Sequence, residues 1–305
     1  MEDRFRVGMT RDFLKPTGEV GWGEIGLGLL DEAPGVAWEF LVENPRELTA
    51  EHVQGYDALG VLGPRVTEET LANADRLAVV ARFGVGYDNI DVEACTRHGV
   101  VVTNTPDGVR RPMACATLTF ILALSHRLFD KDRLTRSGGW GEKLDFMGYG
   151  LTGKIVGLIG FGNIGREVAR LLEPFEVRRI AFDPYVAAEQ ASALGVELVG
   201  LEPLLRESDV VVTLCNLTPE TYHLLNSERI GLMKPTAFLV SMARGPIVHQ
   251  VALTEALRAR RIRGAALDVF EHEPVDPADP ILALDSVILA PHALCWTDEM
   301  ALGVG

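Results

Sequence analysis

The chain reads as an α/β protein made of two open parallel-sheet domains. Three observations predict this. Short apolar runs alternate with helical patterns over the first hundred residues. A second alternating series starts at Lys154 and continues almost to the C-terminus. That series opens on a Gly-rich turn, Gly160-Phe161-Gly162-Asn163-Ile164-Gly165, set between an apolar strand pattern and an amphipathic helix pattern. Alternation of strands and helices generates βαβ units, which pair their strands in parallel and cover the sheet with helices.

In the first series, β-like runs fall at 5–9, 36–42, 58–62, 77–81 and 100–103. Helical patterns lie between several of them, at 67–74 and 91–97 for example. This pattern predicts a flavodoxin-like sheet. Segment 13–29 holds six glycines or prolines, so its first half reads as loop and its second half as helix. Pro112 stands before the apolar segment 113–128 and suits the first position of a helix. That helix is apolar all round, which predicts burial between domains or subunits. Segment 133–150, with Trp140, reads as an irregular Gly-rich arm. Strands of the second series are expected at 155–159, 179–183, 196–199, 209–214, 236–241, 263–268 and 286–290. The expected division is a substrate domain of residues 1–103 and 291–305 and a dinucleotide-binding Rossmann domain of residues 104–290, with a cleft between them.

The Gly-rich turn has a chemical reading of its own. Strand, GxGxxG, helix, second strand and terminal acid form the dinucleotide fingerprint in its required context. Gly160 allows a sharp turn off the strand. Gly162 has no side chain to keep a pyrophosphate from the backbone. Gly165 lets the helix lie close to the sheet. Asn163 and Ile164 begin that helix, whose free N–H groups and dipole favour phosphate. Asp183 ends the second strand and can accept from both ribose hydroxyls. It repels a 2′-phosphate, and Pro184-Tyr185 bring no cation to offset it, so the expected cofactor is NAD.

Composition bounds the function. Hydrophobic residues are 47% and charged residues 24% of the chain, enough apolar material for a large core. The net charge of −14 disfavours nucleic acid, whose phosphates need a basic face. Cys95, Cys115, Cys215 and Cys295 form no CxxC and no zinc spacing, so no metal is expected and the thiols fit a reducing compartment. The charged N-terminus lacks the apolar stretch of a signal peptide, and no run reaches transmembrane length. A cytoplasmic protein without membrane partners is expected.

Four more segments place polar residues just past predicted strand ends, where open α/β sheets bind ligands. They are Arg82–Asp91, Ser241–Val248, Asp268–Pro274 and Ala290–Thr297. With Asn104-Thr105-Pro106 and Leu217-Thr218-Pro219-Glu220-Thr221, these motifs resemble the D-isomer-specific 2-hydroxyacid dehydrogenases. That family includes phosphoglycerate, glyoxylate/hydroxypyruvate and D-lactate dehydrogenases. The likeness runs from about residue 55 to the C-terminus, through Gly84-Val85-Gly86, Ala243-Arg244-Gly245, Asp268-Val269-Phe270, Glu273-Pro274 and Pro291-His292.

The resemblance implies hydride transfer between NAD(H) and C2 of a D-2-hydroxy or 2-oxo acid. It implies His292 as general acid/base, since imidazole can both give and take a proton near neutrality. Glu273 would orient His292 and favour its protonated form. Arg244 would bind the substrate through its planar fork. Gly84, Val85 and Gly86 would offer backbone N–H groups to the carboxylate. Asp268 would fix the nicotinamide carboxamide, and Asn216, Thr218 and Ala243 would join the cofactor contacts. A homodimer through the cofactor domain is also implied, using the 113–128 helix and the arm.

The sequence departs from the family pattern in places. Ala114-Cys115 replaces Ala-Glu, His249 replaces an Asp, and Ala293-Leu294-Cys295-Trp296 replaces a Gly-rich turn. The chain stops 13 residues past His292, where relatives continue into a helix that packs on the first domain. Arg65, Arg82, Arg110 and Arg111 are candidate partners for a phosphorylated substrate. Two other readings share the fold: a formate-type dehydrogenase, in which an amide replaces the acid at Glu273, and an NAD(H)-sensing corepressor-like scaffold.

Overall fold

The structure is a computed structural model describing residues 4–305. The chain divides into two compact units. Unit 1 runs to Pro112 and regains Trp296–Gly305, and unit 2 is Met113–Cys295.

Unit 1 holds five strands: β1 (Phe5–Met9), β2 (Val36–Phe40), β3 (Ala58–Val61), β4 (Val79–Arg82) and β5 (Val101–Thr103). They pair in parallel in the order β2-β1-β3-β4-β5. The central β3 is buried at every residue, as expected for a strand covered on both faces. Its neighbours Leu48, Val66, Leu71, Val80 and Ala94 complete the core. Helix Glu68–Leu71 is shorter than its sequence pattern because Asn73 turns left-handed, at φ 67°. Asp91 caps helix Val92–Arg97 through the Ala94 N–H at 2.8 Å. In segment 13–29 the helix begins only at Gly28 and runs to Glu32.

Helix Asp298–Val304 also belongs to unit 1, with Met300, Ala301 and Val304 buried. Gly108 meets the Gly303 backbone so closely that a Cβ on Gly108 has no room. The segment beyond His292 thus contains a packed helix.

Unit 2 holds seven parallel strands: β6 (Ile155–Ile159), β7 (Arg178–Phe182), β8 (Val196–Leu198), β9 (Val210–Thr213), β10 (Phe238–Ser241), β11 (Gly264–Leu267) and β12 (Val287–Leu289). Their order is β12-β11-β10-β9-β6-β7-β8. The chain winds outward in both directions from β6, so the sheet has its topological switch point between β6 and β9. The Gly-rich turn leaves β6 at that point. Both expected sheets are therefore present.

The long helix corrects the sequence reading at its start. It spans Pro106–His126, so Pro106 takes the first position and Pro112 lies inside. Pro106 directly follows the residues that end β5, and one interior proline removes a single N–H from a helix of 21 residues. Ala114, Phe120, Ile121 and Leu124 are buried, whereas Arg111, Cys115, Thr119 and His126 form an exposed stripe at helical spacing. The arm is more regular than expected, with helix Leu128–Arg136 and 3-10 helix Trp140–Phe146. Among the described residues no single helix is long and apolar enough to cross a membrane.

Candidate active site

The nucleotide turn is built by its glycines. Gly160 sits at φ 99°, and a Cβ there would lie 2.6 Å from the Cys215 nitrogen. Gly165 lies against the Gly160 carbonyl, 2.5 Å from where its Cβ would stand. A Cβ on Gly162, by contrast, would meet nothing within 4 Å. That open space lies at the N-terminus of helix Asn163–Leu172, whose cap residue Gly162 contributes no side-chain hydrogen bond. The N–H groups there are available to an anion. Asp183 Oδ2 accepts from the Phe161 N–H at 2.8 Å, and Oδ1 accepts from the Tyr185 N–H at 3.0 Å. Asp183 thus holds the turn, and its carboxylate keeps acceptor capacity for ribose hydroxyls. Beyond β9, Asn216 and Thr218 are exposed. Thr221 ties them together, accepting from Thr218 N and donating to the Asn216 carbonyl, both at 2.7 Å.

The second cluster of unit 2 collects residues from three neighbouring strand ends. β10 leads into Ala243-Arg244-Gly245, β11 into Asp268 and the loop to Pro274, and β12 into Pro291-His292. Arg244 has an extended backbone and donates from Nη1 to the Ala243 carbonyl at 2.9 Å. Gly245 is pressed against the Phe270 carbonyl with no room for a Cβ, so only glycine lets these two loops meet. Glu273 Oε2 is 2.7 Å from His292 Nδ1. Its Oε1 accepts from the Phe270 N–H at 2.9 Å. His292 lies at φ 55°, a left-handed conformation unusual for a residue with a Cβ.

Asp268 is 1% exposed. Its Oδ1 accepts from the Ala293 and Leu294 N–H groups at 3.0 and 3.1 Å, which fixes the start of the His292 turn. Its Oδ2 is buried and has no hydrogen-bond partner. Such an acceptor calls for a donor, and a carboxamide NH₂ supplies one. Together with the open cradle at Gly162, this makes unit 2 fit a nicotinamide dinucleotide.

Burial raises the Asp268 carboxyl above its usual range against the pull of the Leu294 and Ala293 N–H groups and of His292. For Glu273 the balance is reversed. Burial pushes the carboxyl up, but the His292 hydrogen bond and charge, the Phe270 N–H and the Arg244 charge bring it below the usual carboxylate range. Burial also pushes the Cys215 and Cys295 thiols up to about 11, which leaves both as protonated, unreactive side chains.

In unit 1, Gly84-Val85-Gly86 follows β4. Gly84 sits at φ 124°, and its N–H donates to Thr105 Oγ1 at 3.0 Å. Asn104 Nδ2 holds the Val85 carbonyl at 2.9 Å, and Arg82 Nε holds the Gly86 carbonyl at 2.8 Å. The sequence motifs included Asn104, Thr105, Thr221 and Gly245, but sequence reasoning gave them no role. Asn104 and Thr105 hold the Gly84–Gly86 loop of unit 1, and Thr221 and Gly245 fix loops of unit 2. Of the other arginines, Arg65 lies 4.0 Å from Glu47, and Arg110 pairs with Asp107 at 3.1 Å.

The D-isomer specific 2-hydroxyacid dehydrogenase NAD binding domain matches residues 118–293, more than half of the chain. The chain belongs to this family.

Among its relatives, the glyoxylate reductase of Thermococcus onnurineus is 44% identical over 262 residues, 84% of this chain and 78% of that protein. The TT0316 protein of Thermus thermophilus superposes with a TM-score of 0.84 at 33% identity, covering 98% of this chain and 94% of that one. D-Lactate dehydrogenase of Aquifex aeolicus, solved with NAD and lactic acid, gives a TM-score of 0.85 at 27% identity, covering 98% and 91%. This D-2-hydroxyacid dehydrogenase is an NAD-dependent oxidoreductase acting on a CH–OH group. Among the described residues, no group of three His, Cys, Asp or Glu is arranged to hold a metal ion.

Proposed function

We propose that the enzyme reduces small 2-oxo acids, glyoxylate first among them, with His292 as general acid, Glu273 as its partner and Arg244 as substrate anchor. The observation that carries this reading is the 2.7 Å Glu273–His292 pair, beside the loop bearing Arg244, on the sheet that carries the dinucleotide turn. The glyoxylate reductase relatives support the choice of substrate.

NADH, when bound, supplies the hydride. The chain's own groups do the rest. Glu273 engages Nδ1 of His292, so Nε2 carries the proton for the substrate oxygen. Arg244 is assigned to the carbonyl oxygen and carboxylate, where a guanidinium can bind in two directions at once. Val85 and Gly86 are assigned to the carboxylate through their N–H groups. Asp268 Oδ2 would accept from the nicotinamide carboxamide. Gly160, Gly162, Asn163, Ile164 and Gly165 receive the pyrophosphate, Asp183 the ribose, and Asn216, Thr218 and Ala243 line the remaining cofactor surface.

The test is NADH oxidation with glyoxylate, hydroxypyruvate, 3-phosphohydroxypyruvate and sugar-derived 2-oxo acids. Glyoxylate or hydroxypyruvate should be turned over fastest. Tight NADH binding with no turnover of any of them would reject the reading and leave a scaffold that senses NAD(H).

The same reading includes a homodimer through the cofactor domain. Leu128, Phe129, Trp140, Leu144 and Met147 are all exposed on the arm, a concentration of apolar side chains that calls for cover. Light scattering should give twice the chain mass at micromolar concentration, and a monomer would refute it.

A further inference from the structure

The loop after β11 carries two glutamates, and each holds a histidine at 2.7 Å. Glu273 holds His292, and Glu271 holds His223 through Nε2. The second pair is the more enclosed, with the Glu271 side chain 16% exposed against 36% for Glu273.

Glu271 is engaged on every side. Its Oε1 meets His223, and its Oε2 accepts from the Gln250 N–H at 2.9 Å. Its own N–H donates to Gln250 Oε1 at 3.0 Å, and Gln250 Nε2 donates to Asp279 at 2.7 Å. His223 is equally fixed. Its N–H donates to the Pro246 carbonyl at 2.8 Å, its ring stacks on Tyr222 at 4.0 Å, and His249 lies 4.4 Å away. Like His292, it sits at positive φ, 48°, so the surroundings over-determine its conformation. The charged and titratable groups around Glu271 are therefore His223, His249 and, through Gln250, Asp279.

These contacts join three strand-end loops: the one with Thr218–Leu225, the one with Arg244–Gln250, and the one with Glu271 and Glu273. Phe270, whose N–H holds Glu273 and whose carbonyl abuts Gly245, lies next to Glu271. A shift of Glu271 thus moves the backbone that aims Glu273.

We propose that Glu271 is a positioning residue for the dehydrogenase reaction: clamped by His223 and Gln250, it fixes the loop so that the Glu273 carboxylate meets His292 Nδ1. This rests on the catalytic roles proposed above for Glu273 and His292. Misplacing a catalytic group by about 1 Å can cost roughly 10²-fold, so the clamp has a measurable kinetic value.

The experiment is a mutant cycle in the full chain: wild type, Glu271→Ala, Glu273→Gln and the double variant, with His292→Ala as control. Glyoxylate reduction is followed across pH, and NADH affinity by fluorescence titration. Glu271→Ala should lower kcat at neutral pH by a few-fold, no more than Glu273→Gln does, and leave NADH affinity unchanged. It should move the alkaline limb of the reduction profile to lower pH, as Glu273→Gln does. The double variant should be within about two-fold of Glu273→Gln alone, because coupled residues are non-additive. Glu271→Gln keeps the acceptor for the Gln250 N–H and should restore most of the rate. Losses that multiply, or an unmoved pH limb, would reduce Glu271 to a purely structural residue and overturn the proposal. Should Glu271→Ala not fold, His223→Gln enters the same cycle with the same criteria. If Glu273→Gln and His292→Ala keep wild-type turnover, the catalytic reading fails first and the clamp falls with it.

Discussion

The dinucleotide turn and the cluster of Arg244, Asp268, Glu273 and His292 lie on the same sheet of unit 2, yet they are made differently. The turn is a contiguous stretch from Gly160 to Gly165 with few remote partners: Phe182, Asp183 and the Cys215 backbone. Its geometry follows from glycines whose missing Cβ atoms leave space for backbone or ligand. The cluster draws Arg244, Asp268, Glu273 and His292 from three strands whose order in the chain is their order in the sheet. It depends on loop-to-loop contacts such as Gly245 against Phe270. A local motif tolerates distant change, whereas an assembled one is sensitive to every loop that supports it.

His292→Ala is the strongest test of that contrast. It should cut kcat on the order of 10²–10⁴-fold, the usual value of a positioned acid or base. NADH affinity, measured by titration, should stay near wild type because the turn is independent. Near-normal turnover would reject the mechanism.

Gly245→Ala attacks the cluster without removing any functional group. The new Cβ runs into the Phe270 carbonyl, so the loops carrying Arg244 and Glu273 must separate. Activity should fall by roughly 10²-fold and thermal stability by about 1–3 kcal/mol. Wild-type kinetics in this variant would mean that the close approach is dispensable.

Arg244→Ala should raise KM and lower kcat together, since one guanidinium is assigned both binding and polarisation. Arg244→Lys should recover little of either, because an ammonium cannot reproduce the planar fork. A lysine variant with wild-type kcat/KM would show that charge alone suffices.

Asp183→Ala probes the turn. Comparing kcat/KM with NADH and NADPH, the wild type should prefer NADH, and the variant should narrow the gap by no more than about 1–3 kcal/mol. An NADPH preference in the wild type would contradict the role of Asp183. Some loss of stability is also expected, because Asp183 holds the Phe161 and Tyr185 N–H groups.

The smallest expected effect is a shift in pH. Glu273 is held below the usual carboxylate range after burial is outweighed by His292, the Phe270 N–H and Arg244. Its anion therefore stays 2.7 Å from His292 Nδ1 across the neutral range. With His292 as the general acid proposed above, the rate of reduction in Glu273→Gln should fail at a lower pH than in wild type. A profile unchanged at its alkaline side would disconnect Glu273 from the proton transfer. For stability the sign is opposite in pH: the benefit of a depressed carboxyl is present above its unfolded range and is lost as acid protonates it.

The strands were largely legible in the sequence because each is a short apolar run bounded by turn residues. The predicted 5–9 and 155–159 runs coincide with β1 and β6. Helix limits were less legible. Pro106 and Pro112 both satisfy the first-position rule, and only the end of β5 decides between them. The Gly-rich turn was legible because its glycines lie within six residues, although Asp183 and the Cys215 backbone support it from farther along the chain. Arg244, Glu273 and His292 were identified as motifs, but not as a geometry.

What the sequence by itself determined, then, is the order of strands and helices, the nucleotide turn and the candidate side chains for the site. These depend on periodicity, on missing Cβ atoms and on residue chemistry, all local properties. The tertiary structure alone decided which loops touch. It put Gly245 under Phe270, left one oxygen of Asp268 buried and unpaired, and set His223 on Glu271 beside His249. No local pattern encodes these contacts, because they join residues up to 48 positions apart through the register of a parallel sheet.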